Sequence, residues 1–223
     1  LPTVSRDGML VGPDISGPLR RILVRDRDGS ILHSSSDLFA SAAFPTVSPD
    51  GSRVALVADG DVWIYDIERD VATRLTFTEG GEQGLAWSAE NELSYFARGA
   101  QGNELFVRNA NGGGEVSFLF SQVAASKPDW SRDGRDFSYQ AADPAGGEGG
   151  IWYRERLGDR TLSEPMSFLR TPVGENGPKI SPDARLVAYE SNVSGRFEVY
   201  VRSFPEADEF RTQRQDRFLE LGR

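Results

Sequence analysis

The chain has 223 residues, a formal net charge of −9 and a sequence pI near 4.8, so it lacks the basic footprint that nucleic acid or an anionic membrane surface requires. It has no cysteine and a single histidine, which excludes disulfides, thiolate metal sites and a cysteine nucleophile, and it has no stretch of about 18 apolar residues to span a membrane as a helix. With 38% apolar and 10% aromatic residues, 24 glycines and 12 prolines, it has the makings of a large, turn-rich all-β domain.

A five-residue phrase punctuates the chain from one end to the other. It reads VSRDG at 4–8, VSPDG at 47–51, WSAEN at 87–91, WSRDG at 130–134 and ISPDA at 180–184. Its serines, at 5, 48, 88, 131 and 181, are separated by 43, 40, 43 and 50 residues, the period of one supersecondary unit repeated. After the first phrase come a predicted strand at 21–24 (RILV) and an outer strand at 31–34. The second unit has a short strand at 44–47 before its phrase, then strands at 53–57 (RVALV), 61–65 (DVWIY) and 73–76. The third repeats this at 93–96, 104–107 and 116–120, and the fourth at 137–139, 150–153 and 165–169. The fifth has 186–189, 198–201 and a weaker fourth strand at 210–212. Four antiparallel strands per unit is the blade of a β-propeller. The predicted fold is therefore all-β, with five blade units at about 1–39, 40–79, 80–121, 122–171 and 172–212 and a tail at 213–223.

The phrase itself is turn chemistry. Ser opens the turn, Pro or Arg takes its first corner, Asp bonds the local backbone, and Gly supplies the positive φ of a tight hairpin. Asp7, Asp50, Asp133 and Asp183 thus belong to architecture rather than to an acidic array. Ala184 and Asn91 stand where Gly is usual, so the hairpins of those two units are expected to be distorted. Asp26-Arg27-Asp28-Gly29 has the look of a calcium loop but lacks its later ligands, and is read as a hairpin turn. Trp63, Phe106, Trp152 and Tyr200 fall at one blade position and Trp87 and Trp130 at another, both expected to pack between blades.

Catalytic signatures do not emerge from the residue inventory. The only histidine, His33, lies on a predicted outer strand, and no G-x-S-x-G elbow occurs, so it is read as a surface or hydrogen-bonded strand histidine. No Gly-rich loop, strand lysine, H-R-D or D-F-G signature of a kinase is present. The glycines at 146–150 form a flexible connection with no helix start behind them to cradle a phosphate. No metal and no cofactor is expected.

The pattern P-x-[WVI]-S-[PR]-D-G, R-x-[VIL]-A-[YLF], [DE]-[VIL]-[WFY]-[VI] resembles the TolB-like propeller repeat, a relative of the WD-type repeat without its WD dipeptide, over about residues 2–204. The phrases RLTF at 74–77, KPDWS at 127–131, FLRTP at 168–172 and SGRFEVYVRSFP at 194–205 are similar to the propeller regions C-terminal to the kinase domain of many bacterial serine/threonine kinases. The resemblance implies six blades, a noncatalytic sensing or binding role, and an extracytoplasmic or periplasmic setting. Five units are legible, and the chain begins inside a phrase without an initiator Met, so the propeller is expected to be incomplete and the chain a piece of a longer protein.

Propellers bind through loops on one rim, because the blades are committed to packing. The segments leading into each innermost strand, 78–84, 121–127 and 172–177, carry polar groups that the repeat pattern does not demand. Glu79, Glu82, Gln83, Gln122, Lys127, Glu175, Asn176 and the neighbouring Lys179 are the candidate contacts for a protein or small polar ligand. Besides such a binding module, two roles fit the sequence: a propeller gating a prolyl-oligopeptidase-like hydrolase, and a TolB-like envelope scaffold.

Overall fold

The phrase closes hairpins through a hydrogen-bond pattern that repeats atom for atom. Ser48, Ser131 and Ser181 each donate their backbone N–H to the carbonyl five residues on, at 2.8 Å, and accept that same residue's N–H on Oγ at 2.9 Å. Each hydroxyl in turn donates to the carboxylate of Asp50, Asp133 or Asp183, at 2.5–2.6 Å. That hydrogen bond, ahead of every other influence, holds the Asp50 carboxyl down at about 2 and lowers Asp133 and Asp183 in the same direction. Gly51 and Gly134 take the left-handed corner at φ 78° and 73°.

The computed structural model describes residues 3–4, 8–13, 19–78, 81–88, 91–142, 149–158 and 160–205. Its strands in chain order begin with β1 (Thr3–Val4), β2 (Leu10–Pro13), β3 (Leu19–Arg20), β4 (Ile22–Arg25), β5 (Ile31–Ser34) and β6 (Phe39–Ala40). β1-β2-β4-β5 form the first blade, and β3 pairs with β6 beside it. The second blade is β7 (Ala43–Val47), β8 (Arg53–Ala58), β9 (Asp61–Asp66) and β10 (Val71–Arg74). The third is β11 (Glu82–Trp87), β12 (Glu92–Gly99), β13 (Gly102–Asn109) and β14 (Ser117–Gln122). The fourth is β15 (Ser126–Trp130), β16 (Asp136–Ala141), β17 (Gly150–Gly158) and β19 (Met166–Leu169), with β18 (Thr161–Leu162) pairing antiparallel with the end of β17. The fifth has β20 (Glu175–Ile180), β21 (Leu186–Ser191) and β22 (Glu198–Ser203). The fourth strand expected at 210–212 and the tail at 213–223 lie outside the described residues, as does most of the glycine connection at 146–150.

This is a β-propeller fold of antiparallel blades, as the repeat predicts. The chain divides into two compact units, Leu1–Ala100 with Leu105–Phe118, and Gln101–Glu104 with the chain from Leu119 onward. In the first, Val62 and Ile64 of β9 pack against Leu85, Trp87, Leu93 and Tyr95 of the following blade. Trp87 also donates its indole N–H to the Thr46 carbonyl at 3.1 Å. In the second, Ile151 and Tyr153 of β17 meet Val187, Tyr189 and Tyr200 of the fifth blade. Alternation along β9 therefore serves two interfaces, Val62 and Ile64 facing the third blade and Trp63 and Tyr65 the first, and each buried side chain contributes about 1.5–3 kcal/mol.

The two irregular phrases behave differently from each other. At Asn91, φ is 62° and the hairpin closes one residue tighter, with the Ser88 N–H donating to Glu92 O at 2.9 Å. At Ala184, the hydrogen bonds are those of the glycine copies and the strain is carried in φ alone, at 52°. The distortion expected there is absent because three bonds from Ser181 and Asp183 hold the corner. Ala184→Gly should therefore raise stability by about 1 kcal/mol, the left-handed penalty removed less the entropy Gly adds to the unfolded chain. A urea midpoint that stays put or falls would show the corner to be unstrained.

His33 sits on β5 with Nε2 2.5 Å from the Tyr65 hydroxyl, which donates to Asp70 Oδ1 at 2.6 Å. It is thus a hydrogen-bonded strand histidine tying the first blade to the second. In the 26–29 turn, Asp26 and Asp28 both accept the Ser30 N–H, at 2.8 and 2.9 Å, and Gly29 has φ 92°.

Candidate functional site

The first strand of each of blades two to five carries a bulge at the same place, three residues before the apolar residue of the phrase. The register shifts between Ala43 and Thr46, Gln83 and Leu85, Ser126 and Asp129, and Asn176 and Lys179. The bulged residues are Phe44, Gly84, Lys127 and Gly177, all left-handed, with φ of 52°, 57°, 50° and 58°. Two copies supply the glycine that this conformation favours, and two do not.

The sequence places the candidate contacts in loops, whereas the structure puts most of them in these strands. Glu82 and Gln83 open β11, Lys127 is second in β15, and Glu175, Asn176 and Lys179 belong to β20. Pairing begins earlier than the polar composition suggests because the bulge lets a polar strand end keep its ladder. Glu79 lies outside the described residues.

Burial separates these groups further. Glu82 and Glu175 are 5% and 2% exposed, so neither presents its carboxyl on the rim. Each accepts a hydroxyl hydrogen bond from the threonine four residues earlier, Thr78 or Thr171. Lys179 reaches Asp129 at 2.8 Å, and the same carboxylate accepts the Ile180 N–H at 2.8 Å, so this lysine joins two blades. Asn176 donates to Glu190 Oε2 at 3.1 Å, and Gln122 accepts the Tyr139 hydroxyl at 2.8 Å. Lys127 is exposed, its stem running beside Gly177, and among the described residues its ammonium makes no ion pair or hydrogen bond.

Two exposed aromatics join the rim without a signal in its polar composition. Phe44 is 48% exposed at its bulge, and Phe77 is 73% exposed with the Arg74 guanidinium 4.7 Å from its ring centroid. Aligning the phrases would have found Phe44, an aromatic at the position where the third and fifth blades hold Gly and the fourth holds Lys127. Beside Phe77 lies a buried polar knot. Asp61, 6% exposed at its side chain, pairs with Arg74, accepts the Thr78 N–H at 3.2 Å and lies 3.4 Å from the Thr76 hydroxyl.

No family model matches the chain, and no curated protein matches it. Among solved structures it is similar to TolB from Acinetobacter baumannii, with a TM-score of 0.75 and 15% identity over 91% of this chain and 51% of that one. A TolB-type protein from Agrobacterium tumefaciens gives 0.67 and 18%, covering 91% and 76% of the two chains. An oligogalacturonate lyase from Vibrio parahaemolyticus gives 0.65 and 14%, covering 92% and 65%. The chain thus spans about half the length of the Acinetobacter protein. At these identities the likeness establishes the fold, that of TolB-like β-propellers.

Proposed function

We propose that this chain is a noncatalytic binding module whose rim takes a protein or small polar ligand, and that it serves as the sensor region of a receptor-like bacterial kinase. The observation that carries the binding role is strain without local recompense. Phe44 and Lys127 hold left-handed bulges at a cost of about 1–2 kcal/mol each, yet both side chains are exposed and Lys127 has no polar partner among the described residues. Packing does not explain why these two copies forgo glycine, whereas presentation of an aromatic ring and a cation to a partner does. Gln83 and Asn176, beside the bulges of their own blades, add hydrogen-bonding groups. The kinase setting rests on the sequence resemblance at 74–77, 127–131, 168–172 and 194–205.

Phe44→Gly and Lys127→Gly should each stabilise the fold by about 1 kcal/mol while weakening capture of a partner identified with the wild-type chain. Stabilised variants that capture the partner as well as wild type would make both residues merely structural. The flanking gene sequence checks the setting. A kinase signature and one apolar helix upstream support it, whereas a downstream G-x-S-x-G with later Asp and His would replace it with a hydrolase gate.

A further inference from the structure

Glu82 and Glu175 occupy one place in two copies of a motif, T-x-x-G-E-[QN]-G, at 78–84 and 171–177. Each begins the first strand of its blade, paired across the ladder with Ala97 or Ser191. In both, Oε1 accepts the threonine hydroxyl while Oε2 is buried with no hydrogen-bond partner among the described residues. A buried carboxylate with one oxygen left bare bears a desolvation cost that the neutral acid largely avoids. The same orphan oxygen arises twice, in separate units of the chain, so it is a property of the motif.

The surroundings do not offset that cost. Around Glu82, the packed strands carry Arg53 on β8, Asp61 on β9, and Glu92, Tyr95 and Arg98 on β12. Arg74 on β10 is engaged by Asp61. Burial pushes the Glu82 carboxyl up, the threonine hydroxyls pull it partly back, and the Asp61 charge adds to the rise. Around Glu175, the packed strands carry Lys127 and Asp129 on β15, Asp136 and Tyr139 on β16, Tyr153, Arg154 and Glu155 on β17, and Tyr189 and Glu190 on β21. There, burial raises the carboxyl against Thr171 hydrogen bonding alone.

We propose that Glu82 and Glu175 are proton-binding sites that keep their protons to higher pH than exposed glutamates do, and that their ionisation as pH rises loosens the starts of β11 and β20. The sign follows from linkage. The folded chain holds these protons more tightly than the unfolded chain, whose Glu titrates at about 4.3, so their contribution to stability is full below that value and is lost as pH climbs through the raised folded pKa values. Ionised carboxylates must then reach water, which draws the starts of β11 and β20 away from their ladders.

The test is the number of protons released on thermal unfolding of the full chain from pH 5 to pH 7, from calorimetry in buffers of different ionisation enthalpy. Within that range wild type should release up to about two more protons than the Glu82→Gln/Glu175→Gln variant, and its infrared spectrum should show carboxylic-acid C=O absorption that this variant loses. Asp136, whose carboxyl burial also raises, is retained in both proteins and cancels. If the double variant does not fold, the band in wild type and its partial loss in each single variant decide the matter. Equal proton release throughout that range, or no acid absorption in wild type beyond that of the variant, would overturn the proposal.

Discussion

Phe137→Ala should cost the fold about 3–5 kcal/mol, the largest single-residue loss expected in the second unit. Phe137 is fully buried, with its ring centroid 4.8 Å from Trp130, 5.6 Å from Tyr139 and 6.0 Å from Phe120. Truncation removes apolar contact from all three rings at once. Rings committed to their own packing cannot collapse into the space, since Arg154 lies over Phe120 at 4.1 Å and Arg156 over Trp130 at 4.6 Å. Urea unfolding should show the loss as a lower midpoint at an unchanged slope. A decrease below about 1 kcal/mol would mean that the cluster repacks freely, contrary to this account.

Asp61→Ala should cost about 2–4 kcal/mol in the first unit. The carboxylate joins Arg74 on β10 to the Thr78 N–H at the start of the next blade. Without it, that amide loses its acceptor and the guanidinium its counter-charge. Arg74 is 40% exposed at its side chain and can recover water, which holds the loss below that of a fully enclosed pair. Asp61→Asn, which keeps an acceptor for Thr78, should lose less. Amide exchange at Thr78 should quicken markedly in the alanine variant, and unchanged protection there would show that the knot does not anchor the segment.

The sequence revealed the blades because their signals are local. The phrases from the second to the fifth each close on themselves within six residues, as Ser48 does with Asp50 and Arg53, so the motif alone identifies those hairpins, while Ser5, Arg6 and Asp7 of the first lie outside the described residues. The packing roles of Trp63, Trp87 and Tyr200 were equally legible from their recurrence at fixed blade positions. The rim was read less well. Polar composition marks the 78–84, 121–127 and 172–177 segments, but it does not tell Glu175, enclosed to 2%, from the exposed Lys127. Nor does it distinguish a free lysine from Lys179, whose partner Asp129 lies fifty positions away in the chain.

By itself, then, the sequence determined the repeat period, the turn chemistry and the all-β propeller class, each set by hydrogen bonds and side-chain alternation within a few residues. Only the tertiary structure decided that Phe44 and Lys127 sit in left-handed bulges and that Glu82 and Glu175 turn inward with one oxygen bare. A bulge is a mismatch of register between two strands, and burial is conferred by neighbours distant in sequence. Neither property belongs to the residue that displays it.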